Sequence, residues 1–146
     1  GNYVQQPKSL QFASVFYAIS TNGGNQGLQS LAPTRDKADQ LLNRRLSTPF
    51  LGDANDHLYL WEASRDYNPL DQVSEIRSTL LAINSADDER NPPELNVMHK
   101  AVAKIPNARF LLIPSSEQTI GHGTTGQAKW WKNEVKTLLQ TAPHLP

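Results

Sequence analysis

Ser78-Thr79-Leu80-Leu81-Ala82-Ile83-Asn84-Ser85-Ala86-Asp87-Asp88-Glu89-Arg90-Asn91-Pro92-Pro93 holds the decisive pattern of this chain. Leu80 to Ile83 is a short continuous apolar run, as expected of a parallel strand covered on both faces. An acidic turn follows it and feeds a helix. In parallel α/β sheets the ligand crevice lies beyond the carboxyl ends of the strands, so Asp87, Asp88 and Glu89 stand where a catalytic carboxylate is presented. A second unit of the same kind follows: strand Ala108 to Ile113, a loop ending in Gly121-His122-Gly123, then a helix. An Asp and a His from neighbouring strand ends make the orienting half of a Ser-His-Asp triad. There the carboxylate fixes the imidazole tautomer and the imidazole takes a proton from a nucleophile. The nucleophile itself is not visible. Ser30, Ser47, Ser64, Ser85, Ser115 and Ser116 lie in no G-x-S-x-G elbow. The absence of cysteine excludes thiolate nucleophiles, disulfides and cysteine-held metals within the chain.

Between the strands, Asn91-Pro92-Pro93-Glu94 supplies an N-cap, a proline at the first helical position and an acid at N3. The buried stripe of that helix is Leu95, Met98, Val102 and Ile105, and Pro106 ends it. A final helix is expected from about Gly126 to Gln140, with Ala128, Trp131, Val135 and Leu138 facing inward. Toward the N-terminus, Leu10, Ala13, Phe16, Tyr17 and Ile19 predict a helix over Pro7 to Ser20, stopped by Asn22-Gly23-Gly24. A second helix starts from Thr34 as N-cap and ends near Arg44 and Arg45, where cations suit the dipole. Asp53 to Glu62 predicts a third, with Ala54, Leu58 and Trp61 at helical spacing. Leu70 to Ile76 is at best a short helical turn. No strand is expected before about residue 70. The chain therefore divides near Asn68 into a helical lid, 1–70, and a C-terminal α/β part, 71–146.

Two parallel strands leave sheet edges unpaired, and exposed edges template aggregation. The expected fold is α/β with an incomplete sheet that needs a partner half, the missing strands coming from a second chain or from residues outside this sequence. The chain starts at Gly1 rather than Met, which suits a processing site or a cut in a larger protein. Its 14 basic residues balance 14 acidic ones, and no basic stretch interleaves with aromatics, so nucleic acid is not an expected partner. No apolar run approaches the ~20 residues of a membrane span, so no membrane is expected either. Gly1 to Pro7 lacks the charged and apolar regions of a signal peptide. The compartment stays open, with a slight lean to the cytoplasm over the periplasm.

Several local patterns compete with the triad. Asp88 can be a turn or helix-capping acid near Asn91, and His122 a polar residue of a glycine loop. The glycines flanking His122 argue for more, because they allow close backbone approach or positive φ. Gly121-His122-Gly123-Thr124-Thr125-Gly126 matches the letters of a dinucleotide fingerprint, but it does not directly follow its strand and no further strand supplies the acid about twenty residues on. Asp87, Asp88 and Glu89 suit magnesium by chemistry, yet three consecutive residues converge poorly on one ion. No metal or cofactor is expected. His57 beside Asp53 and Asp56 is a weaker metal or proton-transfer candidate, and a half-exposed helical His is its commoner fate. His99 and His144 read as surface residues. Phe50, Tyr59 and Trp61 suit either an acyl pocket under the lid or simply its core.

Leu80 to Glu94, followed after the second strand by Ile113-Pro114-Ser115-Ser116-Glu117-Gln118-Thr119-Ile120-Gly121-His122-Gly123-Thr124, resembles the C-terminal part of α/β-hydrolase-fold proteins of the homoserine O-acetyltransferase-like group. Asp53 to Pro69 resembles that group's lid segment, and Gly1 to Pro7 its lid entry. The resemblance implies a triad acid at Asp88 rather than Asp87, because Pro92-Pro93 follows Asp88 after three intervening residues. It implies a triad base at His122, in the Gly-His dipeptide after the last strand. It further implies a serine nucleophile in an N-terminal half before the lid, a small acyl ester or acyl-CoA substrate, and a homodimer through the lid. Gly123-Thr124-Thr125-Gly126 departs from the acid and aromatics that follow the Gly-His in these acetyltransferases, so homoserine is not carried over as acceptor. The expected function is the lid and C-terminal catalytic half of a serine-dependent acyltransferase or ester hydrolase. The alternative is a noncatalytic binding or interaction module that retains the fold.

Overall fold

Helix formation in the first part follows local signals. In the computed structural model, which describes residues 3–143, α1 spans Ser9–Asn22 and ends at the Gly23-Gly24 pair. Gly24 has φ 64°, a left-handed conformation that a side chain resists, and it opens a short helix α2, Asn25–Leu31, which the sequence did not announce. α3 is Arg35–Ser47, with the Thr34 hydroxyl accepting the Lys37 N–H as an N-cap. α4 is Ala54–Ala63, capped in the same way by Asp53. Gln11 fastens α1 to the end of α3: its side-chain amide donates to the carbonyls of Arg45 (3.1 Å) and Thr48 (2.6 Å) and accepts from the Phe50 N–H (2.8 Å).

A single 3-10 turn, Val73–Glu75, leads to β1, Leu80–Ser85. β2, Ala108–Ile113, pairs with it in parallel, from Leu80 opposite Ala108 to Ser85 opposite Ile113. The described residues are thus a mixed helix and strand protein with a two-stranded parallel sheet, of the α/β class. Because the register aligns Ser85 with Ile113, the chain leaves both strands at the same sheet end, and the two following loops start side by side.

Two helical expectations need correction. The segment after Asn91 does not open a capped helix: Pro93–Leu95 is one 3-10 turn, Asn96 is left-handed (φ 57°), and α5 runs only Val97–Val102. The 3-10 turn has Pro92 before it and no side-chain cap, while the Asn91 side-chain NH2 donates to Asp88. Leu95 is consequently 62% exposed, while Ile105 of the same expected stripe is buried. Likewise Gly126 to Trp130 is not helical: two 3-10 turns, Gly121–Gly126 and Ala128–Trp130, precede α6, Lys132–Thr141. The Trp131 indole N–H donates to the Thr125 carbonyl at 2.8 Å, which folds the chain back before α6 begins. Arg109 on β2 then grips α6 through the Glu134 carboxylate (2.7 Å) and carbonyl (3.0 Å).

The buried apolar core among the described residues is thin, consisting of Val15, Ile105 and Ile113. The chain exposes 10785 Å². A compact monomer of its 16.3 kDa mass would expose about 7500 Å². Phe16, Leu58, Leu60 and Trp61 on the helices are among the large side chains left open. Along β1 the N–H of Leu80 and, just past the strand, that of Ala86 reach the β2 side (2.9 and 2.8 Å). By the two-residue period of a strand, Leu81, Ile83 and Ser85 direct their backbone groups to the opposite edge, which no strand among the described residues pairs.

Candidate functional site

The turn after β1 delivers three acids in succession, and the structure sends each to a different partner. Ala86 N–H bonds back to Ile113 (2.8 Å) and Asp88 N–H to Ser85 (3.1 Å), which ends the strand in a tight bend. Asp87 turns toward the loop after β2. Its Oδ1 takes the Ser85 hydroxyl, and its Oδ2 takes the Thr119 hydroxyl at 2.7 Å and the Gly121 N–H at 3.3 Å. Glu89 turns toward the helices and accepts the Gly24 N–H at 2.8 Å.

Asp88 lies between them and is 2% exposed. Its Oδ1 accepts the backbone N–H groups of Arg90 (2.8 Å) and Asn91 (3.2 Å), an Asx-type turn. Its Oδ2 accepts the Asn91 side-chain amide (3.2 Å) and faces Nδ1 of His122 at 2.9 Å. The turn-acid role and the contact with the imidazole therefore coexist, one oxygen serving mainly each. Asn91 is in turn held by Asn84, whose amide donates to its carbonyl at 2.9 Å. Burial pushes the Asp88 carboxyl up, but the hydrogen bonds from His122, Asn91 and the Arg90 and Asn91 backbone outweigh it and hold the group below its ordinary value of 3.8. An ionised, acceptor-only carboxylate at Nδ1 requires the proton to sit there, which leaves the Nε2 lone pair free to take another.

His122 rides on the 3-10 turn Gly121–Gly126. Gly121 has φ 58°, whereas Gly123 has ordinary backbone geometry, so only the first flanking glycine meets the conformational expectation. Below the turn, Thr119 and Thr124 are fully buried. The Thr119 hydroxyl accepts the Ser116 N–H (2.9 Å), and the Thr124 hydroxyl accepts the Ile120 N–H (2.8 Å). The Thr125 hydroxyl donates to the His122 carbonyl (3.1 Å). The imidazole itself keeps 36% of its side-chain surface open, so it is anchored by its backbone and presented by its ring.

The other candidates do not assemble. Asp53 is occupied by Tyr3 and Gln6, both at 2.7 Å, and His57 packs instead on the Phe50 ring at 5.2 Å. Among the described residues no group of three or more His, Cys, Asp or Glu is placed to hold a metal ion. His99 is exposed and sits edge-on to Phe110 at 4.8 Å, and His144 lies outside the described residues. No helix among them is long and apolar enough to cross a membrane. No serine among the described residues hydrogen-bonds to His122, and Ser85 is buried and committed to Asp87.

A cavity of about 670 Å³ opens between α1 and α4. Leu10, Phe16 and Tyr17 of α1 line it together with Phe50 and with Leu58 and Trp61 of α4, and Arg90 joins the lining. Tyr59, grouped with Phe50 and Trp61 on sequence, is not in its lining and is exposed. Tyr17 and Arg90 had no such role from the sequence: the Tyr17 ring meets Trp61 edge-on at 5.2 Å, and the Arg90 guanidinium lies over its face at 4.6 Å. Arg90 follows Asp88 by two residues, so the cavity and the imidazole share one short stretch of chain. Only that adjacency hinted at the link.

The fold and site define an α/β protein that presents an aspartate-oriented histidine and holds an apolar cavity whose lining includes Arg90, two residues from that aspartate. Comparison of the chain with protein-family models, with curated proteins and with solved structures returned no match.

Proposed function

We propose that this chain is the lid and C-terminal catalytic half of an α/β-hydrolase-type acyltransferase or ester hydrolase, completed by an N-terminal half that carries the serine nucleophile. One observation carries the reading: His122 Nδ1 lies 2.9 Å from the buried Asp88 carboxylate, with both residues on loops leaving the same end of adjacent parallel strands. In the assembled protein the serine Oγ attacks the acyl carbonyl while Nε2 of His122 takes its proton. The tetrahedral intermediate collapses as His122 returns that proton to the departing alcohol or thiol, leaving an acyl-serine. Water or an acceptor alcohol, deprotonated by His122 in its turn, then releases the acyl group. Asp88 stabilises the imidazolium in both half-reactions. The acyl portion fits the cavity between α1 and α4, whose apolar lining and size lie in the range of small-molecule sites.

The unpaired edge of β1, the thin core and the excess of exposed surface support a partner half that adds strands beside Leu81, Ile83 and Ser85. The experiment is to express the full-length protein and follow burst release of p-nitrophenol from p-nitrophenyl acetate, with mass spectrometry for the acylated residue. Acylation of a serine outside residues 1–146 is the expected result. Absence of any acyl-enzyme with a range of activated esters would overturn the reading and favour a noncatalytic binding module.

A further inference from the structure

We infer that Glu89 is a positioning residue that clamps the lid turn at Gly24 onto the loop carrying His122, so that the imidazole is in register only while the lid is closed. The inference rests on the acyl-transfer reading and deepens it by tying the base to the lid.

Glu89 Oε1 accepts the Gly24 N–H at 2.8 Å across 65 residues of sequence. Gly24 and Gly121 are the described glycines with positive φ, 64° and 58°, and they stand back to back. A Cβ on Gly121 would lie 2.8 Å from the Gly24 nitrogen and would strike the Glu89 carboxylate. A Cβ on Gly24 would lie 2.7 Å from the Gly121 nitrogen and would strike Asp87. Nothing but backbone therefore fits between the lid turn and the residue preceding His122. The carboxylates of Asp87 and Glu89, both from the turn after β1, bracket this contact, Asp87 bonded to the His122 loop and Glu89 to the lid. α1, which ends at this turn, also touches the 3-10 turn of His122. A displacement of Gly24 must therefore be felt at the imidazole.

The clamp is also poised to open. Glu89 Oε2 is shielded from solvent and has no hydrogen-bond partner among the described residues. A carboxylate oxygen held dry without a donor is costly, and opening the turn returns it to water. Closure gains the Gly24 hydrogen bond and loses the hydration of Oε2, so these terms oppose each other and a substrate held under the lid can tip the balance.

The test uses the full-length protein, with three readouts on each variant: burst acylation by p-nitrophenyl acetate, thermal melting, and the NMR signal of the His122 Nδ1–H proton. Glu89→Ala should slow acylation by about ten- to a hundredfold, the range expected for a misplaced base. It should also shift or broaden the ring-proton signal. Glu89→Gln keeps an acceptor for Gly24 and should restore most of both. Glu89→Ala with normal acylation and an unchanged ring signal would overturn the inference. So would activity that falls only with the folded fraction while the ring signal of folded molecules stays put. If Glu89→Ala does not fold, Glu89→Asp replaces it: its reach is one methylene shorter, so slower acylation there than in Glu89→Gln supports the clamp, and equal rates refute it. If wild type and His122→Ala are equally inert, the acyl-transfer reading has failed by itself. The ring signal then still decides whether Glu89 positions His122.

Discussion

Asp87 and Asp88 are neighbours in the chain whose carboxylates hold different parts of one loop: Asp87 Oδ2 takes the Thr119 hydroxyl at 2.7 Å, and Asp88 Oδ2 faces His122 Nδ1 at 2.9 Å. Asp87 fixes where the loop runs, and Asp88 fixes how the imidazole is turned.

Their asparagine variants should therefore fail differently. Asp88→Asn can present a donor to Nδ1 and so select the wrong tautomer, and turnover in the full-length protein should fall by about four orders of magnitude. Asp87→Asn weakens the bonds to Ser85, Thr119 and Gly121, costing about 1–3 kcal/mol of stability. Its turnover per folded molecule should stay within about tenfold of wild type, because the imidazole keeps its own carboxylate. Steady-state kinetics beside thermal melting checks the pair, and the reverse ranking would move the orienting role to Asp87.

His122→Ala should abolish the acylation burst while leaving the melting temperature nearly unchanged. The ring is over a third exposed, so its removal forfeits few packed contacts. A burst of normal size and rate in this variant would remove His122 as the base.

Alanine at the glycines around His122 should sort by geometry. Gly121→Ala places a Cβ in a left-handed residue against the Gly24 nitrogen, and should cost about 1–3 kcal/mol together with activity. Gly126→Ala meets no atom within 4 Å and should be near neutral. Denaturant midpoints of the two variants measure the contrast, and equal midpoints would contradict the backbone geometry of the loop.

Acid should expose the Asp88 network. Its folded-state carboxyl titrates below the ordinary value of 3.8, so the unfolded chain binds the proton first and stability rises with pH in that window. The contribution is fully present above about pH 4 and is lost as pH falls through the lower folded value. Asp53, held down by Tyr3, Gln6 and the Asn55 N–H, acts in the same direction. Melting temperature followed from pH 6 to pH 2 should drop at the acid end, and Asp88→Asn should flatten that drop. An unchanged slope would show that Asp88 is not held low.

Backbone exchange should locate the proposed partner strand. In the full-length protein the amides of Leu81, Ile83 and Ser85 should exchange slowly, since a strand beside them would pair the edge that β2 leaves open. In residues 1–146 alone they should exchange fast. Hydrogen exchange with mass spectrometry distinguishes the two, and equal protection in both would argue against strand addition at this edge.

What the sequence determined by itself was local or periodic. Thr34 and Asp53 cap their helices because a side-chain oxygen reaches an N–H two or three residues on, and that reach is written in adjacent letters. The strands form around Leu80 to Ile83 and Phe110 to Ile113 because continuous apolar runs bounded by turns suit a parallel pair. The helices expected from Asn91 and from about Gly126 form only in their later parts, Val97–Val102 and Lys132–Thr141. Asn91 gave its amide to Asp88, and the Trp131 indole turned back to Thr125. The spacing of Asp88 to Pro92-Pro93 had already singled out that acid through the resemblance, but only tertiary structure shows where the other two go: a bend sends Asp87 to Thr119 and Glu89 to Gly24 while Asp88 faces His122. Tertiary structure alone brought Gly24 against Gly121, a contact between residues nearly a hundred apart that no short-range pattern can encode. Such contacts depend on where the sheet register and the lid helices place two loops in space, and that placement is a property of the packed chain rather than of any segment within it.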